Sequence, residues 1–119
     1  MDYEMIMQTA VNAVNDKKGR DIRVVKIDEL TTVADYFLFV TATSSTHVRA
    51  LADEVEDKLS EIGVEPHHIE GKSTGWILLD YTGLVVHIFT PSEREFYSLD
   101  RMWNEGTEVD ISKICSEEG

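Results

Sequence analysis

The sequence contains a single cysteine, two prolines and no long apolar run. Cys115 has no second cysteine with which to form a disulfide, and this favours a reducing compartment. No stretch approaches the roughly 20 apolar residues that a membrane-spanning helix needs. The first ten residues, MDYEMIMQTA, lack the basic segment followed by an apolar one that marks a secretory signal. We therefore expect a cytoplasmic protein that does not interact with membranes.

Basic residues are also scarce. Eleven Lys and Arg stand against 23 Asp and Glu, so the formal net charge is −12. Nucleic acid phosphates attract proteins through Lys and Arg, and so acidic a surface repels them. The composition argues against direct, sequence-specific nucleic acid binding and favours a basic protein as the partner.

The length of 119 residues and the hydrophobic pattern predict one domain of the α/β (α+β) class, with a mixed sheet of four or five strands flanked by helices. Apolar residues at steps of three and four predict helices at 2–16, 45–62 and 93–104. Lys18 and Gly19 should end the first helix and Gly63 the second, because Gly tolerates a left-handed backbone. Strands are expected at 22–27, 36–40, 76–81 and 84–89, with a brief one at 68–70. The domain should cover residues 1–104, and residues 105–119 should form an acidic tail.

One segment resembles a phosphate-binding loop. Gly71-Lys72-Ser73-Thr74 matches the end of that motif, in which backbone N–H groups and a Lys cradle phosphates. The motif also requires a Gly five positions earlier, where this chain has Pro66, and a helix afterwards, where a strand is expected. The simpler interpretation is a turn that carries an exposed Lys.

The remaining polar motifs also have structural explanations. His67 and His68 are adjacent, and neighbours in a strand point to opposite faces, so they are poorly placed to bind one metal ion. Ser44 and Ser45 lie at a strand-to-helix turn, but helix capping accounts for their hydroxyl groups and the G-x-S-x-G nucleophile motif is absent. His87 falls inside a strand, where a half-buried, hydrogen-bonded His is expected. We predict no metal, no cofactor and no catalytic residue.

The hairpin at 76–89 is the unusual feature. Alternation places Trp76, Leu78 and Asp80 on one side of its first strand, and Ile77, Leu79 and Tyr81 on the other, so both sides are largely apolar. One possibility is a strand covered on both faces. The other is that the Trp76 side is a contact surface, since exposed aromatic anchors dominate interface energetics. Nearby Lys72, Arg94 and Tyr97 could extend such a surface.

Three blocks of the sequence closely resemble the ribosomal silencing factor family, also called Iojap or RsfS. They are ADYFLFVTATSSTHVRALADEVEDKL at 34–59, IEGKSTGWILLDYTGLVVHIFTP at 69–91 and REFYSLDRMW at 94–103. The blocks occur in the family's order with nearly its spacing. Small departures are Ala42 in place of a common Gly, and Asp100 and Met102 in place of Glu and Leu. None of them falls in the hairpin.

The resemblance implies a non-enzymatic factor that binds the large ribosomal subunit through ribosomal protein L-fourteen, blocks its joining to the small subunit and represses translation when nutrients are scarce. It implies a nucleotidyltransferase-like fold without the catalytic signature, since no D-x-D pair occurs here. The partner-binding residues that it implies are Lys72, Trp76, Leu78, Asp80 and Tyr81, followed by Arg94 and Tyr97. For Tyr81, strand parity favours the core and the resemblance favours the rim. The alternatives are a nucleotide-binding enzyme related to the nucleotidyltransferases, and a homodimer of the free protein.

Overall fold

The computed structural model describes residues 3–26, 36–71, 75–81, 83–91 and 107–109. The elements follow in the order α1 (Tyr3–Asp16), β1 (Arg20–Lys26), β2 (Tyr36–Thr41), α2 (Ser45–Glu61), β3 (His68–Glu70), β4 (Trp76–Asp80), β5 (Leu84–Phe89) and β6 (Thr107–Val109). Both helices and all five strands expected within these ranges are present. The helix expected at 93–104 lies outside the described residues. No helix in the described ranges is long and apolar enough to span a bilayer.

The strands form one mixed sheet in the order β3-β4-β5-β2-β1-β6. β2 and β5 run parallel at its centre, with Phe39 opposite His87, and every other neighbouring pair is antiparallel. Within the described residues the sheet has six strands, one more than the upper number expected. The additional strand, β6, pairs with β1 and lies within the segment expected to be an acidic tail. Its pairing with β1 spans most of the chain, so no local pattern indicated it.

Helices α1 and α2 pack on one face of the sheet. Their apolar stripes, which include Ile6, Val11, Leu51 and Val55, meet the strand residues that point to this face. Those strand residues are Val24, Leu38, Val40, Ile77, Leu79, Leu84, Val86 and Ile88. The alternate residues of β2 and β5 are buried too, which confirms the prediction that the YFLFV strand is covered on both faces.

The two helices end in different ways. Gly63 has a φ of 82° after α2 and takes the left-handed position expected of it. After α1 that position belongs to Lys18, with a φ of 66°, so the expectation for Gly19 was wrong. Gly19 instead allows the chain to pack closely against Val40, because a Cβ at Gly19 would lie 2.6 Å from Cγ2 of Val40. The N–H of Gly19 donates to the carbonyl of Val14 at 2.7 Å and closes the helix end.

Candidate functional site

The sheet face opposite the two helices is lined with aromatic side chains. Its buried residues are Val25, Phe37, Phe39, Val85 and Phe89, and Trp76 and Leu78 pack against them. We call this set, together with His87, the aromatic face. Burial is complete at Phe39 and Phe89 on the central strands. Towards the β4 side the face becomes accessible, since Trp76 and Leu78 remain partly exposed.

Strand β4 alternates as the sequence predicted. Ile77 and Leu79 are buried beneath the helices, whereas Trp76, Leu78 and Asp80 are partly exposed on the aromatic face. We call these three residues the edge patch. Only the edge strand β3 lies beyond β4, so the patch is at the margin of the sheet. A margin that combines a Trp, a Leu and a carboxylate has the composition of a protein-binding surface.

A small cavity of about 110 Å³ opens beside the edge patch. It is lined by Trp76 and Leu78 together with Glu70 and Gly71 from the end of β3. Gly71 has a φ of 79°, and a Cβ there would lie 2.2 Å from the carbonyl oxygen of Trp76, so the turn requires Gly at this position. The cavity therefore combines apolar walls with a carboxylate and can take one side chain of a partner.

Tyr81 is a core residue. Its side chain is 4% exposed and packs with the residues beneath the helices, as strand parity predicted and in contrast to the rim position implied by the family resemblance. Burial, with smaller contributions from the negative charges of Glu56 and Glu65, raises the pKa of its hydroxyl group. So deeply buried a side chain cannot reach a partner, and we exclude Tyr81 from the edge patch.

His87 lies at the centre of the aromatic face, on β5. Its ring is stacked on Phe39 with 5.2 Å between centroids, and Phe37 and Trp76 lie at 5.4 and 6.1 Å. The expectation of a hydrogen-bonded, half-buried His was wrong, because the residue is 5% exposed and Nδ1 has no partner among the described residues. Burial lowers the pKa of His87 to about 4, so the ring is neutral at pH 7.

Three of the residues implied as partner-binding, Lys72, Arg94 and Tyr97, lie outside the described residues, as does Cys115. The catalytic and metal-binding alternatives gain no support from the parts that are described. The Ser44 hydroxyl accepts a hydrogen bond from the N–H of His47 and caps α2. Nε2 of His68 lies 2.6 Å from Oε2 of Glu70, but no cluster of three potential metal ligands occurs in these parts of the chain. The described segment after the Gly71 turn is a strand, whereas a phosphate-binding loop leads into a helix.

Sequence reasoning did not identify the aromatic face as a unit. The residues were visible, since Phe37 and Phe39 alternate on one strand and His87 and Phe89 on another. What joins them is the parallel pairing of β2 with β5, in which Phe39 is opposite His87. A pairing between strands this far apart in the chain leaves no local signal.

Comparison with known proteins agrees with this geometry. A family model described as "Ribosomal silencing factor during starvation" matches residues 2–119. The ribosomal silencing factor RsfS of Halalkalibacterium halodurans is 32% identical over 117 residues, which are 98% of this chain and 100% of that protein. A crystal structure of a Chromobacterium violaceum protein is similar with a TM-score of 0.84, at 34% identity and over 87% of both chains.

A mouse protein named "Mitochondrial assembly of ribosomal large subunit protein 1" is 28% identical over 97 residues, which cover 78% of this chain and 42% of that protein. The predicted α+β domain is confirmed by the structure and by the solved relative. The family model extends over nearly the whole chain, and the bacterial relative is matched over its full length. The chain therefore belongs to the ribosomal silencing factor family.

Proposed function

We propose that this protein represses translation by binding the large ribosomal subunit through ribosomal protein L-fourteen and blocking association with the small subunit. Membership of the silencing factor family supports the ribosome as the target. The name of the mouse relative refers to the large subunit, which supports that subunit as the binding partner. The observation that carries the proposal is the edge patch, where Trp76, Leu78 and Asp80 share one partly exposed margin of the sheet.

The edge patch has the features of an interface anchor. Trp76 rests on the buried rings of the aromatic face, with 6.3 Å between its centroid and that of Phe89. A partner that covers Trp76 would therefore extend an existing hydrophobic cluster and would not create an isolated contact. Trp residues held in this way contribute strongly to binding, commonly about 2 kcal/mol or more on truncation.

Electrostatics favours a basic partner. The net charge of −12 gives the protein a field that attracts cationic surfaces and accelerates their encounter. Asp80 in the patch and Glu70 at the adjacent cavity place carboxylates at the contact itself. A Lys or Arg side chain could lay its apolar stem along Trp76 and Leu78 and approach these carboxylates with its charged end.

The proposed action requires no chemistry. A protein bound at the surface where the subunits meet excludes the small subunit by occupying its place, so repression should follow occupancy. The action takes place wherever these ribosomes translate, and for a bacterial-type ribosome that is the cytoplasm. No nucleotide, metal or cofactor takes part in this mechanism.

The test is binding to purified large subunits, measured by co-sedimentation. Trp76→Ala should weaken binding about 30-fold or more, the equivalent of about 2 kcal/mol, because it removes the anchor of the patch. Asp80→Arg should weaken it further by placing a cation against a basic partner. Subunit joining, followed on sucrose gradients, should recover in parallel with the loss of binding.

Matched control variants are available on the opposite side of the molecule. Met5→Ala removes an apolar side chain that is 50% exposed on α1, and Asp53→Arg reverses an exposed charge on α2. Met5→Ala should bind as the unmodified protein does, and Asp53→Arg should lose only the part of the attraction that comes from net charge. If Trp76→Ala and Asp80→Arg bind as well as these controls, the edge patch is not the binding surface. If the unmodified protein at saturation leaves subunit joining undiminished, the anti-association function is wrong.

A further inference from the structure

His87 lies among the aromatic rings of the aromatic face. On one side its ring is stacked on Phe39, at an interplanar angle of 15°. On the other side is β4, where Leu78 is its direct cross-strand partner and the Trp76 ring is 6.1 Å away. His87 therefore connects the buried centre of the sheet to two of the three residues of the edge patch.

The imidazole carries a cost that a phenyl ring would avoid. Its Nδ1 is buried and has no hydrogen-bond partner among the described residues. A buried polar atom left in this state destabilises the folded protein, because it has lost its hydrogen bonds to water and gained none in return. Buried polar groups are normally paired, so an orphaned one inside a cluster of aromatic rings calls for an explanation other than stability.

We propose that His87 is a positioning residue for the edge patch: its neutral ring holds Trp76 and Leu78 in their binding arrangement, and protonation of the ring releases them. The inference rests on the proposed function, in which the edge patch binds the ribosome. Binding through the edge patch then becomes sensitive to acid, because the arrangement of the patch depends on the protonation state of the His87 ring beneath it.

Among the described residues, no charge offsets the burial of a protonated His87. By their register in the sheet, the charged or titratable residues of the described strands on this side are Asp80 on β4, His68 and Glu70 on β3, Arg20 and Arg23 on β1, and Glu108 on β6. Burial alone accounts for the lowered pKa of His87, to about 4 from the ordinary 6.5, so the carboxylates of Asp80 and Glu70 do not offset it. Within the described residues, the side chains against the His87 ring are aromatic or aliphatic, so an imidazolium ion there must reach water to be stable.

The direction of the pH effect follows from this difference. Well above pH 6.5 the ring is neutral whether it is buried or exposed, and protonation does not change the ratio of opened to closed molecules. Between pH 6.5 and 4 the exposed ring binds a proton that the buried ring does not, so falling pH favours the opened arrangement. With these two pKa values, the ratio of opened to closed molecules should rise about 30-fold by pH 5.0.

The first test is amide hydrogen exchange of β4 and β5 in the full-length protein at pH 7.5 and pH 5.0, corrected for the intrinsic exchange rate. The equilibrium constant for local opening of β4 and β5 should be about 30-fold larger at pH 5.0 than at pH 7.5 in the unmodified protein. The same rise is expected in the matched control His67→Gln, which removes an exposed His. In His87→Phe the constant should rise less than about threefold, since a phenyl ring fills the place and cannot be protonated. An equal rise in His87→Phe, or no rise in the unmodified protein, would overturn the proposal.

The second test is large-subunit binding at pH 7.5. His87→Ala should weaken binding at least 10-fold because Trp76 and Leu78 lose their support, and His87→Phe should restore it. If Trp76→Ala weakens binding and His87→Ala does not, His87 is not a positioning residue. If neither variant alters binding, the proposed function fails, and the exchange measurement still decides whether His87 controls β4.

A direct titration covers the case in which the variants do not fold. The ring protons of His87, followed by NMR in the unmodified protein, should titrate well below the ordinary value of 6.5 for a histidine. A midpoint near the ordinary value of 6.5 would overturn the proposal without any substitution. The Trp76 indole N–H signal should shift with the same midpoint if the two rings move together.

Discussion

At the scale of single residues, Gly83 is a position where the core leaves no room for a side chain. A Cβ built at Gly83 would lie 2.4 Å from the ring carbons of Tyr3, which packs against the core from the start of α1. Gly83→Ala must therefore displace the Tyr3 ring or the turn between β4 and β5. We expect the free energy of unfolding to fall by about 1 to 3 kcal/mol, measured by urea denaturation.

A double-mutant cycle identifies the cause. With Tyr3→Ala already in place, the ring is gone and the added methyl group has room, so Gly83→Ala should then cost less than about 0.5 kcal/mol. An equal cost in both backgrounds would show that the backbone of the turn, and not the Tyr3 ring, requires Gly at this position.

The face of the strand to which each side chain points was predictable from the sequence, but the residues that it contacts on neighbouring strands were not. The alternation of Trp76 to Asp80 separated Ile77 and Leu79 from the other three residues, because side chains of a strand alternate whatever surrounds them, and the family resemblance indicated that the Trp76 side is the accessible one. The same rule placed Tyr81 in the core, where it is. His87 was misjudged because its surroundings come from Phe39 and Trp76 on two other strands. The special role of Gly19 likewise depends on Val40, which is distant in sequence.

At the scale of elements, His47 links the end of α1 to the start of α2. Its Nδ1 is 2.9 Å from the backbone nitrogen of Thr43, and its Nε2 is 2.8 Å from the carbonyl oxygen of Lys17. Because the Thr43 N–H donates, Nδ1 must accept, and the ring proton is on Nε2, which donates to Lys17. One neutral side chain thus satisfies a donor before α2 and an acceptor after α1.

Removing this link should loosen the packing of the two helices. His47→Ala leaves the Thr43 N–H and the Lys17 carbonyl to water, and we expect a loss of about 1 to 2 kcal/mol in the free energy of unfolding. Thermal denaturation monitored by circular dichroism measures the change. The control is Arg49→Ala, two residues further along the exposed side of α2, which should stay within about 0.5 kcal/mol of the unmodified protein. Equal stability of the two variants would mean that water replaces His47 without cost.

Most elements were predictable from local patterns, and even the three-residue β3 has the bounds expected of it. The 14-residue α1 and 17-residue α2 carry apolar stripes over several turns, and β5 was found with the bounds expected of it. The three-residue β6 gave no pattern, and its pairing with β1 depends on contacts across most of the chain. The order of strands in the sheet could not be predicted either, because long-range pairing and not local propensity decides which strands are neighbours.

At the scale of the whole molecule, the charge of −12 should act in opposite directions on folding and on binding. Within the folded protein the excess carboxylates repel one another, and compaction brings them closer together. Between the protein and a basic partner the same charges attract over long range and raise the association rate. Salt screens both effects, since the Debye length shortens from about 30 Å at about 0.01 M to about 10 Å at about 0.1 M.

We therefore expect added salt to stabilise the fold while it slows association with ribosomal protein L-fourteen. Over that range of ionic strength the free energy of unfolding should rise, and the association rate measured by stopped flow should fall several-fold. The dissociation rate should change little, because the Trp76 anchor is apolar and its contacts are not screened. The double variant Asp53→Asn with Asp57→Asn, on the exposed side of α2, should reduce both salt dependences without touching the edge patch. An association rate that does not vary with salt would show that net charge plays no part in the encounter and that the edge patch alone selects the partner.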